Sequence, residues 1–290
     1  MKILSRLIVI SFTFMIVLIY NFVVTPYEDA INNDLCSTVK LPVIMYHAFL
    51  KDTEAHGEFV ISPEQFENDI KYILEKGYTP ISLKDLSQYL EGKGNLPEKP
   101  IMITIDDGYY NNYLYAFPVA KQYGVKMIIA PIMKFSELYS QHEENNAYYS
   151  HITWEQGKEM VESGLVEFQN HTYDLHYNNN TRKGIRKNNN ETNEQYEKML
   201  YTDLYQAHHL ITEKFGFTPI SIAYPFGYYS KDADNVIKQF GYKISFSSES
   251  GINNISPSQS AQMLKRYNRP SGKSSLEFFD NIFNIAEGKK

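Results

Sequence analysis

The sequence predicts an α/β protein built on a parallel sheet, and three observations carry that reading. Short apolar, β-branched runs alternate along the chain with amphipathic helical stretches, the pattern of successive β-α units. Setting aside residues 1–40 leaves about 250, the size of a single α/β barrel. Three polar or turn motifs begin where apolar runs end, and in such barrels the C-terminal strand ends carry the chemistry. The alternation by itself leaves the sheet either open or closed.

The elements follow in order. Lys2 and Arg6 precede an apolar run from Leu7 to Tyr20, extended by Phe22, Val23 and Val24. A run of about 18 residues reaches the lower limit for spanning hydrocarbon and exceeds a signal-peptide core, and no A-x-A cleavage site follows. The basic residues place that end in the cytoplasm. Residues 1–24 are therefore expected to be a signal anchor with the rest of the chain outside the cell membrane; a cleaved signal peptide and secretion are the alternative. Residues 25–40 are polar and unpatterned and read as a stalk, leaving 41–290 as one domain. Cys36, in the string NNDLC, is incidental.

Leu41 to Phe49 (LPVIMYHAF) reads as a buried strand. Ser62-Pro63-Glu64-Gln65 starts a helix whose apolar stripe is Phe66, Ile70, Ile73 and Leu74, ended by Gly77. Tyr78 to Ile81 is strand-like, Leu83 to Leu90 a short helix, and Ile101 to Ile105 a buried strand leading into DDG. A helix is expected from Tyr113 to Tyr123 and an apolar strand from Val125 to Met133. Thr153-Trp154-Glu155-Gln156 starts another helix, ending near Gly164. Val166 to Gln169 is a strand, then NHTYDLH. Asn178 to Asn193, rich in Asn, Lys and Arg without apolar periodicity, reads as an exposed loop. A long helix from Glu194 to Phe215, a strand from Ile220 to Ala223, the turn Tyr224-Pro225-Phe226-Gly227, a helix from Lys231 to Phe240, strands at 243–246 and 264–267 and a helix from Ser274 to Ala286 complete the chain.

Composition excludes several classes. One cysteine permits neither an internal disulfide nor a Cys-based zinc cluster. With 28 Lys and Arg against 34 Asp and Glu, net charge −6, the chain has no electrostatic footprint for nucleic acid.

The chemistry converges on Asp106-Asp107-Gly108, Asn170-His171-Thr172 and Tyr224-Pro225-Phe226-Gly227, each at a strand exit. Adjacent carboxylates in a partly buried site raise each other's pKa, so something cationic should hold at least one of them. His171 and His176, with Asp107 or Asp106, supply a two-His, one-carboxylate set. Three protein ligands with positions left for water describe a catalytic metal site. Positions i and i+5 lie about 140° apart on a helix and on opposite faces of a strand, so HTYDLH must bend, unlike a zincin HExxH helix.

These residues carry a family resemblance. ITIDDGYYNN, NHTYDLH and IAYPFGYYS, in that order, resemble the NodB-homology motifs of the polysaccharide deacetylase family (carbohydrate esterase family 4), and VIMYHAF is similar to the opening strand of its poly-N-acetylglucosamine deacetylase branch. The resemblance runs from about Leu41 to Arg269. It implies a distorted (β/α)7 barrel, one divalent metal (zinc first, with cobalt, nickel or iron also suited) and removal of N-acetyl groups from a polysaccharide of N-acetylated amino sugars. Carried onto this chain, it makes Asp106 the general base, Asp107, His171 and His176 the metal ligands, and the backbone N–H of Phe226 the oxyanion donor, with Thr172 orienting the histidine loop. The chain departs from the usual family pattern at three places, the first being the interval of five between His171 and His176, where most members have four and the poly-N-acetylglucosamine branch has five. Ala223 stands where the third motif usually has an arginine that tunes the base, so that partner is expected to be absent. No histidine follows His209 to serve as the usual general acid, and His47 is the replacement considered; Arg266 and Arg269 lie in that region but are poor proton donors.

Twenty-four tyrosines and 17 phenylalanines also offer faces for sugar rings. Tyr109 and one of Tyr228 or Tyr229 are expected in the groove, with Tyr224 and Pro225 beside the substrate. The same metal chemistry would serve an O-acetyl glycan esterase, and a non-catalytic glycan-binding or scaffold protein is the alternative of a different class.

Overall fold

The computed structural model describes residues 38–289 except 143, together with residues 15 and 20. The signal anchor expected over 1–24 and the stalk expected over 25–40 lie outside the described residues but for 15, 20 and 38–40, as does Cys36. Among the described residues no helix is long and apolar enough to cross a membrane.

Seven parallel strands form a barrel wall: β1 (Val43–Tyr46), β2 (Pro100–Asp107), β3 (Met127–Pro131), β4 (Val166–Phe168), β5 (Ser221–Ala223), β6 (Ile244–Phe246) and β7 (Ala261–Leu264). Parallel ladders join β1 to β2, β2 to β3, β3 to β4, β5 to β6 and β6 to β7, the last with a shift of register between Ile244 and Phe246. Between β4 and β5 there is only the parallel bridge of Asn170 with Ile222, where the Ala223 N–H donates to the Asn170 carbonyl at 2.9 Å. The ring closes through a broken strand. Beyond β7 the chain bends at Lys265 and Arg266, and Tyr267–Asn268 pairs in parallel with β1. The strand expected over 264–267 is this bent one, longer at both ends because it serves a different neighbour with each half.

Alternation along β2 sorts the core. All eight of its residues are buried, as in a strand covered on both faces. Ile101, Ile103 and Ile105 point outward into a cluster with α1 (Pro63–Glu75), through Phe66, Ile70 and Ile73. Met102 belongs to the inner cluster with Val43, Ile128, Ala130, Ile244 and Phe246, which Leu83 and Leu86 of α2 (Leu83–Leu90) also join. By the same period of two, Thr104 and Asp106 face the barrel interior, with Asp106 near its C-terminal mouth. Within residues 38–289 the remaining α-helices are α3 (Phe117–Tyr123), α4 (Met133–Gln141), α5 (Trp154–Glu162), α6 (Asn193–Phe215), α7 (Asp234–Gln239) and α8 (Ser275–Ala286).

Local departures from the sequence reading have local causes. The helix expected from Tyr113 starts as a π turn over Asn112–Ala116 and becomes α-helical only from Phe117. Pro118 has no N–H to offer the Leu114 carbonyl, so the ordinary ladder cannot form there. The helix expected over 231–240 divides into a 3-10 turn, Lys231–Ala233, and α7. α4, unforeseen, follows one residue after β3 and has Ile132 at its N-cap without a side-chain cap, so no capping signal separates it from the strand. Val39–Leu41 pairs antiparallel with Asn253–Ile255, so Val39 and Lys40 are strand rather than stalk. The loop over 178–193 is pinned at Ile185, which is fully buried and whose carbonyl accepts from the Tyr196 hydroxyl at 2.7 Å.

One buried ion pair ties β1, α1 and the approach to α8 together. Asp69 accepts from Arg269 Nε (2.8 Å) and Nη2 (2.9 Å), from Ser275 Oγ (2.7 Å) and from the Tyr46 hydroxyl (3.1 Å). Removing one member of a fully buried pair leaves an uncompensated charge. Asp69→Ala is expected to lower the unfolding free energy by about 3–5 kcal/mol in urea denaturation.

Candidate active site and metal centre

The three motifs come together at the C-terminal mouth of the barrel, around a cavity of about 660 Å³. Each motif leaves its strand through a non-glycine residue in the left-handed region: Asp107 at φ 69°, Thr172 at 70° and Phe226 at 56°. Such residues cost free energy and persist where their surroundings over-determine them. After Asp107 the chain turns at Gly108 (φ 72°), where a Cβ would sit 2.5 Å from the Pro131 ring. Only glycine fits that approach.

Asp107, His171 and His176 converge, with one ligand atom from each lying within 4.8 Å of the others. Asp107 Oδ1 is 3.2 Å from His176 Nε2 and 3.6 Å from His171 Nε2, is buried and has no hydrogen-bond partner. His171 Nδ1 lies 2.8 Å from the Ala223 carbonyl, which can only accept, so this nitrogen carries the proton. In the neutral ring Nε2 is then a bare lone pair aimed at a carboxylate oxygen. Two acceptors facing one another call for a cation between them, and a backbone-anchored imidazole is the usual support of a metal ligand. These residues fit a divalent metal. Burial acts to raise the Asp107 carboxyl, but the surrounding imidazoles of His171, His47 and His176 overcome it and hold it below the usual carboxylate range. Burial pushes His176 down to about 4, which leaves it neutral and free to ligate at neutral pH.

The HTYDLH segment bends as its spacing requires, forming neither helix nor strand. The Thr172 N–H donates to Asn170 Oδ1 (2.7 Å), and Thr172 Oγ1 accepts from the Leu175 N–H (3.2 Å).

Asp106 has the partner that the sequence reading expected to be missing. Arg266 forms a bidentate pair with it, Nη1 to Oδ1 and Nη2 to Oδ2, both at 2.8 Å, and both side chains are buried. Its other hydrogen bonds go to the Ser247 carbonyl (2.8 Å) and Thr104 Oγ1 (3.3 Å). Arginine is absent at Ala223, as read, but the bent seventh strand supplies one from the other end of the chain. Burial would raise the Asp106 carboxyl; the Arg266 charge, with a smaller contribution from His171, outweighs burial and leaves it below its ordinary value.

His47, Tyr109, Tyr224, Phe226 and Tyr228 line the cavity. Tyr224 is almost wholly buried, and Pro225, expected beside the substrate, is buried in the turn and does not line the cavity. Tyr229 turns away to pack on Tyr224, so Tyr228 is the groove member of that pair. Burial lowers the His47 imidazole, and its Nδ1 is buried without a partner. Its carbonyl is fixed by Asn112 Nδ2 (2.7 Å), while Asn111 Oδ1 accepts from the Phe49 N–H (3.0 Å), so the NN of ITIDDGYYNN holds the exit of β1. Phe59 and Tyr148 also line the cavity. They come from loops with no periodic signal that could have marked them.

The polysaccharide deacetylase family model matches residues 93–245, more than half of the chain, and the chain belongs to that family. Among relatives, the poly-beta-1,6-N-acetyl-D-glucosamine N-deacetylase of Staphylococcus aureus is 30% identical over 202 residues, covering 69% of this chain and 65% of that protein. The Escherichia coli K12 protein of the same name is 26% identical over 265 residues, 82% of this chain and 38% of that one. The chain thus spans less than two thirds of the length of either relative. Among solved structures, a de-N-acetylase from Aggregatibacter actinomycetemcomitans superposes with a TM-score of 0.72 at 25% identity, covering 85% of this chain and 99% of that one.

The donor set is expected to bind one divalent ion per chain. Metal analysis of the purified protein should find that Asp107→Ala loses the ion and Asp106→Asn retains it; retention by both variants would overturn the ligand assignment.

Proposed function

We propose that the protein is a metal-dependent hydrolase that removes N-acetyl groups from a polysaccharide of N-acetylated amino sugars, with an N-acetylglucosamine polymer as the substrate class. The observation that carries this is the buried Asp106–Arg266 pair beside the Asp107, His171 and His176 donor set in one open cavity. Family membership and relatives named as poly-N-acetylglucosamine N-deacetylases support the same reading.

Asp107, His171 and His176 hold the ion, with zinc the first choice and cobalt, nickel or iron suited to the same ligands. When bound, a divalent ion supplies a lowered water pKa and polarisation of the acetyl carbonyl. Asp106, kept ionised by Arg266, accepts the proton of the attacking water. The Phe226 N–H is the donor proposed for the developing oxyanion, on a turn braced where Ser248 Oγ donates to the Phe226 carbonyl at 3.3 Å. The departing nitrogen needs the proton that Asp106 took from the water, and His47, which lines the same cavity, is the group proposed to relay it from Asp106 to that nitrogen. Tyr109 and Tyr228 give the sugar rings aromatic surface, while Tyr224 shapes the wall behind them.

The apolar run behind Lys2 and Arg6 supports a catalytic domain outside the cell membrane, held by the signal anchor or released by its cleavage.

Acetate release should be measured for metal-stripped and metal-restored protein on poly-N-acetylglucosamine, chitooligosaccharides, peptidoglycan and acetylated xylan. Metal-dependent release from an amino-sugar polymer is expected. Release from xylan alone would favour the O-acetyl esterase reading, and no release by folded, metal-loaded protein would favour glycan binding. Asp106→Asn is expected to keep metal and lose about 10²–10⁴ in turnover. Arg266→Met removes the charge that lowers Asp106, so the acidic limb of the kcat/KM profile should move upward in pH. An unmoved limb would show that Arg266 does not set the base.

A further inference from the structure

Two of the three proposed metal ligands sit at the ends of the segment from His171 to His176, which has no regular structure of its own. Its shape is imposed from two sides: the Met133 and Lys134 N–H groups of α4 donate to the Thr172 and Tyr173 carbonyls at 3.3 and 3.1 Å, and α6 holds the N–H groups that follow. The Tyr173 N–H donates to Asp203 Oδ1 at 2.9 Å and the Asp174 N–H to Asp203 Oδ2 at 2.7 Å. One carboxylate thus spans two successive backbone donors midway between the histidines. The next residue of α6 also takes part: the Leu204 carbonyl accepts from Asn170 Nδ2 at 3.2 Å, and the same Nδ2 lies 2.7 Å from the Tyr242 hydroxyl. Burial pushes the Asp203 carboxyl up to about 6, with the two backbone donors pulling the other way.

We propose that Asp203 is a positioning residue for the metal centre: by holding the N–H groups of Tyr173 and Asp174, its carboxylate sets the bend that brings His171 and His176 onto Asp107. This rests on the reading of those three residues as metal ligands. Asp203 touches neither the ion nor the substrate. The geometry needs two acceptor oxygens side by side. Asparagine offers one, and turns an amide NH2 against the second backbone donor. The Asp174 side chain does a different job, pairing at 2.7 Å with Lys134 on α4. That half-buried pair provides a control on the same loop.

The test is titration of the metal-stripped full chain with Co(II) alone, following the visible absorption of the bound ion. Changes in groups that support ligands typically cost 10–100-fold in metal affinity, and Asp203→Asn should weaken Co(II) by about that factor with an altered spectrum. Lys134→Ala should match the wild type in both. A purely structural role for Asp203 would lower the melting temperature and leave the Co(II) spectrum of the folded variant unchanged. Unchanged affinity and spectrum in folded Asp203→Asn overturn the proposal. If that variant does not fold, Asp203→Ser, which leaves no amide facing the loop, carries the same comparison with the same overturning result. Failure of the wild type to bind Co(II) would instead remove the metal centre itself, and with it the role proposed for Asp203.

Discussion

A buried guanidinium facing a buried carboxylate organises the mouth of this barrel. Arg266 and Asp106 are both withdrawn from water, and desolvating such a pair is repaid only by good geometry and full use of the remaining donors. Here the contact is bidentate, and Thr104 and the Ser247 carbonyl take two of the three other guanidinium N–H groups. Arg266 lies at the break in the last strand, between the half that pairs with β6 and the half that pairs with β1. Closing the barrel and furnishing the carboxylate with its cation are therefore one structural event. The Ala223 backbone carbonyl, a group any residue at that position would carry, accepts from His171 Nδ1.

Around that pair the molecule stores strain where its chemistry lies. Three strand exits each pass through a non-glycine residue at positive φ, and each is braced by neighbours rather than by its own preference. Gly108 lies against Pro131, Thr172 is bonded within its own loop, and the Phe226 turn is held by Ser248. α6 adds a longer brace through Asp203 and Leu204. The result is a set of donors held in place before any ion arrives, which is the condition for a precise metal site.

Much of the site was legible in the sequence because its parts are local. A DDG turn, a pair of histidines whose spacing suits neither helix nor strand, and a YPFG turn each declare themselves in a few residues, and all three lie at the strand exits where they were expected. The lapses share one physical character. Pro225 is turned into its own turn by the geometry that exposes Phe226, and Phe59 and Tyr148 reach the cavity from loops without periodicity. α4 went unread because it follows one residue after an apolar strand and has Ile132 at its N-cap, so no capping residue marks its start.

The sequence by itself determined the order of strands and helices, the carboxylates and imidazoles available, and the need for HTYDLH to bend, since periodicity, capping and side-chain chemistry are properties of short stretches. Only the tertiary structure decided that the sheet closes, that the Asp107 oxygen faces two imidazole nitrogens, and that Asp106 is answered by a residue 160 positions away. Those are pairings across the ring. Their energies depend on which distant groups are desolvated together, and no local pattern records that.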